Sequence, residues 1–246
     1  MKNNKPPIEQ RRNYNYRYNK KQPIWKTINL FFKIALHKPK EIINLNDEPI
    51  EDKALILAPH HGKWGPIYLN MYYPHKTTIM GHYAMLGNYK SRYNYLSKVL
   101  YLQKTHRSKF RAYVPTIIEA LFSINSYRAM RIIPTYPDSR FTNSIRQGCK
   151  LIDDGFQLVI FPEDSDQGYQ KEFDHFHPGF YFIPTYYNKT HEQELPIYPI
   201  YYLAKKRKIV IGKKVYLSEL KGKSHIEVAD YFRKIMNNLD NQYFKD

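Results

Sequence analysis

The chain has 246 residues and carries 39 Lys and Arg against 22 Asp and Glu, a formal net charge of +17. This length suits one α/β domain, and the excess of basic residues predicts an anionic partner: a membrane surface, a phosphorylated substrate or a nucleic acid. An AT-rich genome would also raise the lysine content, so the charge alone does not choose among these. The single cysteine, Cys149, excludes an intramolecular disulfide framework and a cysteine-based zinc site, and favours a reducing compartment.

The first 49 residues divide into two segments. Residues 1–23 are basic, contain proline and lack apolar periodicity, so we expect a flexible arm and no signal peptide. Within residues 24–49, read as a helix and linker, one helical face is apolar and comprises Ile24, Trp25, Ile28, Phe31, Phe32, Ala35 and Leu36. That pattern is typical of a helix in a membrane interface and equally of a helix packed on the domain core. No run approaches the roughly 18 apolar residues that span a bilayer.

From residue 50 to residue 246, apolar runs typical of strands alternate with stretches at helical spacing. Strands are predicted over 54–58, 77–81, 130–135, 157–161, 196–202 and 208–212. Helices are predicted over 89–103, over 115–124 with Pro115 as the first residue, from a cap at Thr142 or Asn143 to near Gly155, and over 226–239. This alternation predicts an α/β domain with a mostly parallel or mixed central sheet flanked by helices.

Polar side chains follow two of the predicted strands. The strand 54–58 runs into the pair His60 and His61, and the strand 157–161 runs into Pro162 and Glu163. In open α/β sheets, ligands bind outside the carboxyl ends of the strands, so these side chains are expected to meet at one edge. Histidine is the usual general base near neutral pH, which makes an enzyme the leading interpretation. For each residue taken alone, a structural role is at least as common.

Four blocks in chain order resemble the glycerophospholipid acyltransferase family, which includes bacterial lysophosphatidate acyltransferases. The resemblance covers residues 50–217. The family's first block, His-x-x-x-x-Asp, corresponds here to Pro59–Gly65, and its second, Ile-Pro-Val followed by Arg, corresponds to Ile133–Arg140. Its third block, Phe-Pro-Glu-Gly, corresponds to Phe161–Asp164. Its fourth, a proline-bearing strand before Ile-Gly-x-x, corresponds to Leu195–Ile200 with Ile211–Lys214.

The resemblance implies O-acyl transfer from an acyl thioester, on CoA or acyl carrier protein, to the hydroxyl of a glycerophosphate or lysophospholipid. It implies that His60 is the general base and that Glu163 holds the acceptor. The further residues expected at the substrates are His61, Lys63, Arg140, Asp164 and Ser165, of which Arg140 and Lys63 are assigned to the phosphate. No metal, cofactor or nucleic acid is expected, and the protein is expected in the cytoplasm, on the inner face of the membrane.

Two departures from the family pattern keep alternatives open. Gly65 stands five residues after His60, in the place of the family's acid, and Pro137 stands in the place of its arginine. Because an orienting acid can be worth orders of magnitude in rate, one alternative is a catalytically impaired lipid-binding protein on the same fold. Another is a nucleic-acid-binding protein, suggested by the charge and the 16% aromatic content. The tyrosines form no recognised RNA-reading motif, which weighs against it.

Overall fold

The computed structural model describes residues 30, 32–33, 36–62, 64–106, 108–165, 168–169 and 172–244. Within them, seven strands form one sheet in the order β1-β7-β6-β2-β5-β3-β4. The strands are β1 (Glu41–Asn44), β2 (Leu55–Leu57), β3 (Thr77–His82), β4 (Ile132–Thr135), β5 (Gln157–Ile160), β6 (Ile197–Leu203) and β7 (Lys208–Ile211). Only the pairing of β6 with β7 is antiparallel in this sheet of the described residues. The predicted α/β fold with a mixed sheet is confirmed.

Helices cover both faces of this sheet. They are α1 (Gly65–Tyr72), α2 (Tyr89–Asn94), α3 (Lys109–Ala129), α4 (Phe141–Asp153), α5 (Phe182–His191) and α6 (His225–Tyr243). A π-helix, Tyr95–Lys104, continues α2, and short 3-10 helices cover Tyr83–Leu86, Pro178–Tyr181 and Leu217–Leu220. The long excursion from α2 to α3 therefore forms the crossover between the neighbouring parallel strands β3 and β4.

The central strand β2 is buried on both faces, as expected of a strand inside a parallel sheet. Leu55 and Leu57 point into a core shared with α4 and α6, whereas Ile56 points into a second core shared with α1. Cys149 lies in the first core, where burial raises the pKa of its thiol to about 12, so it is an inert thiol as expected.

The six predicted strands are all present, and their ends agree with the structure within two residues. The strand β1 was not predicted, because its four residues EIIN are mostly exposed at the sheet edge and show no buried run. The helices α1 and α5 were not predicted either.

Two predicted helix starts are wrong. Pro115 lies inside α3, which begins at Lys109 because the Ser108 side chain accepts a hydrogen bond from the main-chain N–H of Arg111 at 3.4 Å. Thr142 and Asn143 lie inside α4, which begins at Phe141 after a turn closed on Asp138.

The predicted arm and most of the predicted amphipathic helix lie outside the described residues. At the described end of that segment, Leu36 packs against the second core and the Tyr72 hydroxyl donates to its carbonyl oxygen. The ring of Phe32 meets the Trp64 ring edge-on at 5.7 Å. Among the helices that the structure describes, none is both long enough and apolar enough to cross a bilayer.

Candidate active site

His60 and Glu163 lie side by side where two neighbouring parallel strands end. Leu57 of β2 is paired with Ile160 of β5, so the residues three positions further on, His60 and Glu163, face each other in the same register. The main-chain N–H of His60 donates to Oε1 of Glu163 at 2.6 Å. The structure thus brings together the two residues that the sequence placed at the ends of separate strands.

The imidazole of His60 is held in one tautomer. Its Nδ1 lies 2.8 Å from the carbonyl oxygen of Gly62. A carbonyl oxygen can only accept, so Nδ1 carries the proton and Nε2 keeps its lone pair. The ring is stacked on Tyr169 at 5.1 Å and meets the edge of Phe161 at 5.0 Å. An oriented imidazole with a free Nε2 lone pair is what a general base requires.

Burial sets the protonation of both groups. Burial first, and the positive charge of Lys104 second, lower the pKa of His60 from 6.5 to about 3. Burial raises the pKa of Glu163 to about 8, against the hydrogen bond from His60, which favours the carboxylate. At neutral pH, His60 is therefore uncharged and ready to accept a proton, and most of Glu163 is protonated.

The position of the family's acid, Gly65, has no room for a side chain. A Cβ atom there would lie 1.9 Å from the carbonyl oxygen of His60 and 2.3 Å from the Tyr202 hydroxyl. An aspartate at Gly65 is thus excluded by packing, and the Gly62 carbonyl orients the imidazole in its place. Gly62 has φ +76°, a backbone conformation that favours glycine. Unlike a carboxylate, this carbonyl brings no full negative charge to stabilise an imidazolium.

His61 points into a different environment from His60. Its ring meets those of Tyr201, Tyr202 and Phe173, with centroids at 4.8, 5.6 and 6.4 Å. Burial lowers the pKa of His61 to about 4. The backbone at His61 is left-handed, with φ +43°, which turns two successive side chains to different sides. Of the two histidines, His60 is the one beside Glu163.

Lys104 is a site residue that the sequence did not reveal. It ends the π-helix, and its Nζ donates to Oγ of the buried Ser165 at 2.5 Å. Its charge also acts on His60, Glu163 and His82. No local pattern marks this lysine, because the crossover between β3 and β4 brings it to Ser165 from 61 positions away.

His82 is a second residue that the sequence did not single out. It ends β3, two strands from β2, and its ring is stacked between those of Tyr83 and Tyr95 at 4.3 and 4.6 Å. Its Nδ1 accepts from the main-chain N–H of Ala84 at 3.2 Å. Desolvation by these rings, followed by the charge of Lys104, lowers the pKa of His82 to about 4, although part of the residue is exposed to solvent. It is therefore a neutral, fixed wall of the same sheet edge.

The remaining predicted substrate residues are distributed along and beyond this edge. Asp164 faces His177, with its Oδ1 4.0 Å from Nε2. Arg140 follows β4, three strand positions or about 14 Å from the β2 end. Both Nε and Nη2 of Arg140 donate to Asp138, at 2.8 and 2.5 Å, and its guanidinium lies 4.1 Å from the Tyr136 ring centroid. Lys63 lies outside the described residues.

No family model matches the chain, and no curated protein sequence matches it. Among solved structures, it is similar to the 1-acyl-sn-glycerophosphate (LPA) acyltransferase PlsC from Thermotoga maritima, with a TM-score of 0.51 and 12% sequence identity. The match covers 90% of this chain and 81% of that chain. At this identity, the likeness shows that the two proteins share an α/β fold.

Proposed function

We propose that the protein is an acyltransferase that moves an acyl chain from a thioester to the hydroxyl of a glycerophosphate or lysophospholipid. The observation that carries this proposal is the tautomer of His60. Its Nδ1 is fixed by the Gly62 carbonyl, so the Nε2 lone pair is available at the end of a central strand. The fold shared with an LPA acyltransferase supports the same reaction class.

The side chain of His60 can carry the proton through the whole reaction. Nε2 of His60 takes the hydroxyl proton as the acceptor oxygen forms a bond to the thioester carbonyl carbon. The carbon–sulfur bond then breaks, and the leaving thiolate takes the proton back from the imidazolium. The acyl group moves directly to the acceptor, and the donor leaves as a free thiol. No covalent enzyme intermediate is needed. The donor is CoA or acyl carrier protein.

Lys104 and Ser165 are the groups we assign to the acceptor's phosphate. Lys104 lies close enough to His60 to lower its pKa, and it is already joined to Ser165. A bound phosphate would offset the lysine charge and so raise the pKa of His60 when the acceptor arrives. The resemblance assigns Arg140 to this role as well; Arg140 is paired with Asp138 and follows β4 further along the sheet edge, and its contact with the phosphate stays a prediction.

Glu163 is a positioning residue in this proposal. It is buried, and its Oε1 accepts the main-chain N–H of His60 at 2.6 Å, which fixes the main chain of His60. Glu163 thereby fixes the strand end that carries the base. Its effect on the acceptor is indirect, because it positions His60.

The test is thiol release from acyl-CoA and acyl carrier protein thioesters, offered with glycerol 3-phosphate, lysophosphatidate and other lysophospholipids. We expect release that depends on one acceptor class, with an acylated lipid as product. The variant His60→Ala should lower the rate roughly 10²–10⁴-fold. Release without any acceptor would make the protein a thioester hydrolase instead.

The second candidate is a lipid-binding protein on the same fold that does not catalyse. The closed position at Gly65 favours it, because the imidazole lacks a charged orienting partner there. In that case no donor and acceptor pair releases thiol, and His60→Ala binds lysophospholipid as tightly as the wild type.

We propose also that the protein works peripherally on the inner face of the membrane. A net charge of +17 supports this location, because each basic residue near an anionic surface contributes about 1 kcal/mol of attraction.

A further inference from the structure

The helix α3 is packed with its small residues inward and its large apolar residues outward. Ala112, Thr116 and Ala120 follow one another at intervals of four residues and are buried. They face a small core of Leu96, Leu100 and Tyr101 from the π-helix. A helix on the surface of a globular protein normally turns its large apolar side chains to the core and its polar ones to water. Along most of α3 the large apolar side chains instead face outward, whereas Ile124 and Tyr127 near its C-terminal end pack against the second core.

The outer face of α3 is a continuous apolar stripe. Phe110 is 92% exposed, and the other members are between 52% and 65% exposed. The stripe comprises Phe110, Tyr113, Val114, Ile118, Leu121 and Phe122. Their spacing of three and four residues places them on one side of the helix over three turns. Single exposed apolar residues are ordinary, but a contiguous stripe of this size marks an interaction surface.

We propose that this stripe is the surface by which the protein lies on an anionic lipid bilayer. The charges of α3 fit that partner. Arg111 and Arg128 are exposed near its two ends, and Glu119 is its one acidic residue. A helix of 21 residues is about 32 Å long and can lie flat, with aromatic and aliphatic side chains in the headgroup region and arginines at the phosphates.

The start of α3, where the stripe begins, follows closely in the chain on a residue of the candidate active site. Lys104, joined to Ser165, ends the π-helix, and α3 begins five residues later. Between them, His106 lies against the loop of Ser165, where a Cβ atom on Gly168 would be 2.7 Å from its Nε2. The proposal rests on the proposed function in one respect. A bilayer beneath α3 would deliver a lipid acceptor at the side of the site that holds Lys104.

The first test compares two double variants. Phe110→Ser with Phe122→Ser removes the two aromatic side chains at the ends of the stripe, and serine matches phenylalanine in helix propensity. Phe182→Ser with Ile226→Ser is the matched control, because these residues are also large, apolar and exposed but lie on α5 and α6. Co-sedimentation with phosphatidylglycerol vesicles and with phosphatidylcholine vesicles measures binding.

We expect the wild type and the control to bind the anionic vesicles and the stripe variant to bind at least about tenfold more weakly. Binding of both variants at the wild-type level, or a wild type that ignores every vesicle, overturns the proposal. A melting temperature that falls only in the stripe variant means that the chain's own residues cover the face. If the wild type is a dimer, the variant is a monomer and vesicle binding is unchanged, the stripe is an interface between two copies of the chain. Both of these results overturn the proposal.

A second measurement does not depend on removing side chains. In Val114→Trp, the new indole should be quenched by brominated lipids more strongly than the fluorescence of the wild type, and absence of extra quenching contradicts bilayer contact. Thiol release with a water-soluble acceptor separates this proposal from the proposed function. The rate of thiol release should be the same in the wild type and the stripe variant. If neither protein releases thiol, the proposed acyl transfer is wrong, and vesicle binding still tests the proposal for α3.

Discussion

The carbonyl oxygen of Gly62 lies 2.8 Å from Nδ1 of His60, two residues away in the same loop. This contact does the orienting that the resemblance assigned to an acid at position 65. Its consequence is a neutral base with one fixed tautomer and no charged partner at that position. In the transfer that we propose, catalysis by His60 would therefore depend on how Lys104 and the acceptor change the pKa of its imidazole.

Introducing the family's acid should damage the site. We expect Gly65→Asp and Gly65→Ala to destabilise the fold and abolish any transfer, because a Cβ atom would meet the His60 carbonyl at 1.9 Å. Overpacking costs about 1–3 kcal/mol or more when backbone must move. Urea denaturation measures the loss. Gly222→Ala is the control: its φ of +89° strains alanine, but no heavy atom lies within 4 Å. Equal losses at both positions would contradict the steric argument.

The two histidines should separate into different roles. We expect His60→Ala to lower transfer roughly 10²–10⁴-fold with little change in stability. We expect His61→Ala to keep most of the transfer activity but to lower the free energy of unfolding by about 1–3 kcal/mol, because its ring is enclosed by Tyr201, Tyr202 and Phe173. Steady-state kinetics beside thermal melts distinguish them. A larger rate loss in His61→Ala than in His60→Ala would reassign the base.

Lys104→Met should act on acceptor binding and on the base together. Losing a charged hydrogen bond to the phosphate costs about 1.5–3 kcal/mol, so the acceptor KM should rise roughly 10–100-fold while the donor KM changes little. The pKa of His60 should rise, because the lysine charge lowers it. The acidic limb of the kcat/KM profile would then move to higher pH.

Lys98→Met is the control for Lys104, since it removes an exposed lysine from the same π-helix. If the two variants have the same acceptor KM and the same pH profile, Lys104 has no part in acceptor binding.

Glu163 should make stability depend on pH in a definite direction. Its folded-state pKa is raised from 4.5 to about 8, so above pH 4.5 the unfolded chain releases a proton that the folded chain keeps. The free energy of unfolding therefore falls as the pH rises from 4.5 to 8, by up to about 1.4 kcal/mol per pH unit. The glutamine in Glu163→Gln cannot ionise, so the free energy of unfolding of this variant does not show this fall. Its stability relative to the wild type should grow between pH 6.5 and 8.

The lowered pKa of His60 acts in another window. Between about pH 3 and 6.5, the unfolded chain binds a proton that the folded chain does not, so this contribution increases stability up to pH 6.5 and is constant above it. Urea denaturation at pH 6.5 and 8 thus reports on Glu163. Glu219→Gln serves as the control, because that exposed carboxylate also accepts a main-chain N–H, from Tyr216 at 2.8 Å. A pH-independent difference for Glu163→Gln would mean that the buried carboxyl is ionised.

The strands and the edge of the candidate site were predictable because both are local in origin. A short apolar run with turn residues at its end defines a strand such as β5. The residue after the strand then lies where the carboxyl ends of the strands meet, irrespective of which strands are its neighbours. Because parallel strands align their carboxyl ends, His60 and Glu163 were expected to meet there. The edge strand β1 escaped prediction because it has no buried run.

Three features were decided by the tertiary structure alone: the different surroundings of His60 and His61, the closed position at Gly65 and the arrival of Lys104. Each depends on atoms from elements that are distant in sequence: the Tyr202 hydroxyl above Gly65 and the long crossover that carries Lys104 to Ser165. The same holds for α3. Helical spacing shows which residues share a face, but the period of 3.6 residues is identical for a face that turns to the core and for one that turns to water. Only the packing of Ala112, Thr116 and Ala120 against the π-helix turns the apolar stripe of α3 outward.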